Sequence, residues 1–148
     1  MKPKTESPFP VMKPPFDKMG EHVNRAVSVV SLALPDGYRL AEIKAFRKSE
    51  ARRLELAGLF LPARSKSYIF VDKALSHQAR VQTLLHELAH ALDWGIRGRS
   101  NHDLGWGCAY SLVYRVYIGE VTSVRAYGDG RVKYVDEEGQ PYEAMAAL

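Results

Sequence analysis

His86-Glu87-Leu88-Ala89-His90 puts two imidazoles and a carboxylate within five residues. On a helix, residues four apart lie about 40° apart around the axis, so His86 and His90 project from one face. Two imidazole nitrogens on one face can hold a Zn²⁺ ion, and Glu87 stands next to them, within reach of a water on the metal. The chemistry implied is hydrolysis by an activated water, the use to which metalloproteases put an HExxH helix.

A catalytic zinc keeps three protein ligands and one open position. His102 is the expected third ligand, twelve residues after His90 and separated from it by a glycine-containing stretch. A link of that length allows a following helix to fold back across the first. Two carboxylates compete for the position. Asp93 lies seven residues after His86 and so shares its side of the helix. A carboxylate near a helix C-terminus opposes the macrodipole, which favours a supporting role for Asp93, holding a histidine or the site loop. Glu120, at the end of the following helix, is the more distant competitor. His77 falls on the opposite face and His22 in an earlier helix, so neither is expected to bind this metal. Tyr110 and Tyr114 are candidates to support an oxyanion, although tyrosines on a helix more often pack. Trp94 and Trp106 read as core aromatics closing the two helices together.

These residues need elements to position them. Ser76 is a suitable N-cap for the motif helix, and Val81, Leu84, Leu85 and Leu88 supply its core face. Gly95 marks the expected end at Trp94-Gly95, with a loop over residues 96–101. Residues 103–118 carry an aromatic-rich helical pattern. Upstream, residues 21–34 have apolar positions at helical spacing, stopped by Pro35-Asp36-Gly37. Residues 38–46 alternate imperfectly and predict a strand. Residues 53–61 predict another, ended by Pro62. Ser67 to Val71, rich in β-branched and aromatic residues, is the clearest strand. Residues 121–127 and 131–135 flank Gly128-Asp129-Gly130 as a β-hairpin. The pattern predicts an α+β fold: a small mixed sheet on the motif helix and the next helix, with a C-terminal hairpin. Pro3, Pro8, Pro10, Pro14 and Pro15 make residues 1–18 an extended or flexible arm, leaving 19–148 as one domain.

With 148 residues and 46% hydrophobic content, the chain can bury a proper core. Its longest apolar run, Ala26 to Leu34, is broken by Ser28 and Ser31, so no membrane association is expected. One cysteine, Cys108, excludes an internal disulfide. The Pro- and Lys-rich start lacks the apolar core of a secretory signal, so a reducing, cytoplasmic setting is expected. The net charge is +4, and residues 39–99 hold twelve Lys/Arg against six Asp/Glu. Such a stretch could suit nucleic acid or an acidic partner, but an excess this modest more readily reads as an ordinary solvated surface.

Ala57-Gly58-Leu59-Phe60, Tyr68-Ile69-Phe70-Val71, Leu84 to Ala91 around the HExxH core, Trp94, and His102-Asp103-Leu104-Gly105-Trp106 occur in that order. Over residues 20–118 the chain resembles the SprT-like (Spartan-type) zinc metalloproteases. Compact, and without the C-terminal zinc ribbon of many members, it resembles the stand-alone versions carried by phages and mobile elements. Asp103 stands where those proteins usually have glycine. The resemblance implies a zincin-like protease domain, with zinc on His86, His90 and His102 and Glu87 as general base. It also implies that Tyr68, Ile69, Phe70 and Val71 form an edge strand that pairs with a protein or peptide substrate, and it adds weight to DNA as a partner. The alternative is a zincin-fold module that binds zinc together with DNA or protein and has no peptidase activity. Glu87 separates the two, because a structural site does not need that carboxylate.

Overall fold

The computed structural model describes residues 7–47, 50 and 56–145. Nine residues of the predicted arm and second strand, 1–6 and 53–55, lie outside them.

Among the described residues, two small sheets and three α-helices make up a mixed α+β fold. The first sheet contains β1 (Val11–Met12), β2 (Arg39–Ala45), β3 (Gly58–Ala63) and β4 (Lys66–Val71), in the order β1-β2-β4-β3. β2 runs parallel to β1 and β4, whereas β3 pairs antiparallel with β4. The second sheet is an antiparallel meander of β5 (Val121–Ala126), β6 (Arg131–Asp136) and β7 (Pro141–Met145). Packed with the sheets are α1 (Glu21–Ala33), α2 (His77–Arg97) and α3 (Leu104–Tyr117).

α1 forms because Val23, Ala26, Val27, Val30 and Ala33 fall on one stripe, and all are buried. It stops as Leu34 turns extended (φ −67°, ψ 137°), the conformation a residue before proline prefers. The imperfect alternation of β2 has a local cause. Leu40 pairs with Ser67 and Glu42 with Tyr68, so Ala41 is an extra residue that shifts the register. This bulge lets Leu40 and Ile43, three apart, both be fully buried.

Four expectations change. Pro62 does not end its strand: β3 runs on to Ala63, because an edge strand tolerates a missing N–H. Tyr68 to Val71 are not an edge, since β4 is flanked by β2 and β3. Among the described residues the free edge beside α2 belongs to β3. α2 does not end at Trp94-Gly95 but continues to Arg97. Gly98, in the left-handed region at φ 74°, caps it by donating its N–H to the Trp94 carbonyl at 2.7 Å. Gly95 has a different role: a Cβ there would lie 2.6 Å from Leu34 Cδ2, so glycine permits close packing of helix on chain. Finally, the C-terminal hairpin gains β7, whose Tyr142 stacks on Tyr134 of β6 at 5.1 Å.

The described part of the N-terminal arm is docked. Val11 and Met12 pair with Glu42 and Ile43, while Phe16 is fully buried in the main core. An aromatic that can reach the core is drawn there despite the surrounding prolines. Among the described residues no helix is long and apolar enough to cross a membrane.

Candidate metal centre

α2 begins with the Ser76 hydroxyl accepting a hydrogen bond from the Ala79 N–H at 3.3 Å. Leu84, Leu85, Leu88 and Leu92 bury one side of the helix and so fix its rotation about its axis. His86 and His90 consequently share the other side, with ring centroids 5.1 Å apart. Beyond Gly98 the chain turns back, and α3 packs against α2. His102 arrives just before α3, with its Nε2 2.9 Å from His90 Nε2 and 3.1 Å from His86 Nε2. All three ligand atoms lie within 4.8 Å of one another.

These side chains fit a metal. Tetrahedral zinc with bonds of about 2.0–2.1 Å holds its nitrogen ligands roughly 3.3 Å apart, within a few tenths of an ångström of the spacings from His102 to His90 and to His86. Burial, then the nearby histidines, push His90 down to about 4, and His86 is lowered by burial and by His102. Both imidazoles therefore stay neutral with lone pairs available. The three histidines are the cluster capable of holding a metal among the described residues, which leaves a fourth position for water or substrate.

Glu87 is 5% exposed, with Oε1 3.7 Å from His86 Nε2. Burial pushes its carboxyl up to about 7. A cation at the triad acts in the opposite direction, drawing the group toward its ionised form. Glu87 also packs close to β3: a Cβ on Gly58 would lie 2.6 Å from Thr83 Cγ2 and 3.1 Å from Glu87 Cγ.

The histidines are held in turn. In the tautomer that leaves His90 Nε2 bare, its Nδ1–H donates to Ser100 Oγ at 2.7 Å. Asp93 supports the site through an intermediary. Arg97 donates from Nε and Nη2 to the two Asp93 oxygens, each at 2.6 Å, with side-chain exposures of 1% and 0%. The same guanidinium donates to Asp103 at 3.0 and 2.7 Å. Asp103 follows His102 directly and caps α3, accepting the Trp106 N–H at 3.1 Å. Gly105 is required here, since a Cβ would sit 2.4 Å from Arg97 Cζ. An aspartate after the third histidine is thus accounted for by the arginine it binds.

Trp106 lies among the histidines: its ring is 4.8, 5.4 and 5.1 Å from His86, His90 and His102. Its buried Nε1–H has no hydrogen-bond partner among the described residues. Trp94 instead packs on Tyr38 at 4.4 Å and Phe60 at 5.8 Å, joining α2 to the first sheet. The expectation that both tryptophans close α2 on α3 therefore holds for Trp106, which packs α3 on the α2 histidines, and not for Trp94. Tyr110 stacks on Trp106 at 5.3 Å, and with Tyr114 it lines a cavity shared with His86 and Glu87.

Glu120 is set apart from the triad, 3.6 Å from Arg115 at the far end of α3. His22 packs on Tyr117, while His77 lines the cavity wall. Arg97, Ser100 and the β3 edge were not singled out in the sequence. Arg97 had a usable signal, four residues after Asp93 at helical ion-pair spacing; Ser100 had none. Comparison with protein-family models, characterised proteins and solved structures found no match for this chain.

Proposed function

We propose that this chain is a zinc-dependent metallopeptidase with a zincin-like active site. The observation that carries the reading is a buried glutamate beside three converging imidazoles that leave one position open. A triad that only stabilised the fold would need no such carboxylate. His86, His90 and His102 would hold the ion. Bound Zn²⁺ supplies Lewis-acid chemistry, acidifying water and polarising a carbonyl.

Glu87 accepts the proton of the attacking water at its carboxylate and delivers it to the departing amine. Trp106 and Phe60 shield the imidazoles, and Ser100 fixes the His90 tautomer. The free edge of β3 offers backbone groups to an extended peptide, as edge strands do, and the missing Cβ of Gly58 lets β3 pack close to Thr83 and Glu87 of α2. Substrate pairing thus moves from Tyr68–Val71 to Gly58–Ala63. Tyr110 is the better placed of the two tyrosines to assist an oxyanion, through its stack on Trp106.

Metal analysis beside peptide hydrolysis tests the reading. The parent should hold about one zinc and cleave peptides. His102→Ala should lose zinc, while Glu87→Gln should keep zinc and lose turnover by about 10²-fold or more. Unchanged turnover in Glu87→Gln would sink the peptidase reading and leave a zinc-binding module.

A further inference from the structure

Two cavities meet at Gly58, His86 and Glu87. One, of about 470 Å³, extends past His90 and His102 to Phe60 and Trp94. The other, of about 790 Å³, includes His86 and Glu87 but neither His90 nor His102, so it opens on the Glu87 side of His86, away from the other two histidines. On the peptidase reading, from which this inference starts, the departing amine must come within reach of Glu87. The residue contributing that amine therefore extends into the larger cavity, and the acyl side occupies the smaller one.

The larger cavity has a definite chemistry. Tyr110, Tyr114 and Tyr117 of α3 face Gln78 and Gln82 of α2 across it, over a floor that includes Val81. No lysine or arginine lines it among the described residues, and its titratable groups besides the tyrosines are His77, His86 and Glu87. A carboxylate side chain would find no cation there and would meet Glu87. An ammonium would pair with Glu87 and occupy the proton acceptor. A large uncharged ring gains contact area and edge or face packing against the tyrosines.

We infer that this cavity selects a bulky, uncharged aromatic side chain on the residue that follows the cleaved bond. Gln82 and Tyr114 are its specificity-determining walls.

The test uses zinc-loaded protein and succinyl hydroxamates that carry a benzyl, methyl, carboxymethyl or aminobutyl side chain on the amine side, with affinity read by calorimetry. The benzyl compound should bind about tenfold or more tighter than the methyl compound, and both charged compounds more weakly still. Gln82→Trp, which fills the cavity from an exposed position, should bring the benzyl-to-methyl ratio close to one. Tyr114→Ala should lower the same ratio. Equal or undetectable affinities in the parent, a preference for a charged side chain, or an unaltered ratio in Gln82→Trp each overturn the assignment. If the hydroxamates follow the expected order but no peptide is cleaved, the peptidase reading fails and the cavity's selectivity stands.

Discussion

Replacing Arg97 by methionine keeps much of the side-chain volume and removes the charge that Asp93 and Asp103 share. The cost follows from where each carboxylate sits. Asp93 is fully buried and would be left as a buried charge without its guanidinium, a situation that costs about 3–5 kcal/mol. Asp103 is 43% exposed and can turn to water, so its loss adds little. With a urea m-value of about 2 kcal/mol/M, the midpoint of unfolding should fall on the order of 2 M. Adding Asp93→Asn removes the orphan charge, so the double variant should recover part of that loss, with a coupling of about 1–3 kcal/mol. Zinc affinity, titrated against a competing chelator, should fall about 10–100-fold in Arg97→Met, because His102 loses the anchor beside it. Asp103→Ala keeps the buried pair and should cost only about 1 kcal/mol through the lost cap. A midpoint in Arg97→Met close to the parent's, with unchanged zinc affinity, would refute the reasoning.

Other changes test neighbouring parts. Ser100→Ala should weaken zinc about tenfold in the chelator titration with little change in the unfolding midpoint, since it acts through His90 alone. Gly58→Val should slow peptide hydrolysis while zinc remains bound, because its side chain would press on Thr83 and Glu87; a mass-spectrometric zinc count beside a rate assay decides. Gly105→Ala should destabilise by about 1–3 kcal/mol on thermal unfolding, as the methyl displaces the Arg97 guanidinium. Asp136 accepts from the Gln140 and Glu138 N–H groups and from the Tyr142 hydroxyl, and the Gln140 bond leads in holding its carboxyl below the usual range. Its contribution is therefore full above the unfolded carboxylate range and is lost as pH falls through the lower folded value. The stability gap between parent and Asp136→Asn should narrow in acid, and a gap that is constant with pH counts against this account.

The sequence carried the site's chemistry further than its architecture. His86 and His90 are legible because helical periodicity links them, and His102 because the return of α3 needs a link of that length. α1, β2, β4 and the β5–β6 hairpin are legible because each has a local pattern. Strand order is different: nothing in Ser67 to Val71 says that β3 will cover its outer side, since pairing depends on chain path rather than on pattern. Gly95 and Gly98 are alike as helix-ending signals, and only the approach of Leu34 to one of them separates their roles. Trp106 reads as core because an indole beside imidazoles has the same sequence signature as an indole beside leucines.

The chain between α2 and α3 is closed by two clasps. One is the triad, with His86 and His90 on one side and His102 on the other; the second is Arg97 holding Asp103. The two closures overlap, since each ties the start of α3 back to α2, so the second forms on chain that the first has partly ordered. Ion binding and ion pairing therefore share one free-energy term, and by linkage each must strengthen the other to the same degree. A metal taken up at His102 should therefore be felt as slower amide exchange through the first turn of α3, which begins two residues later.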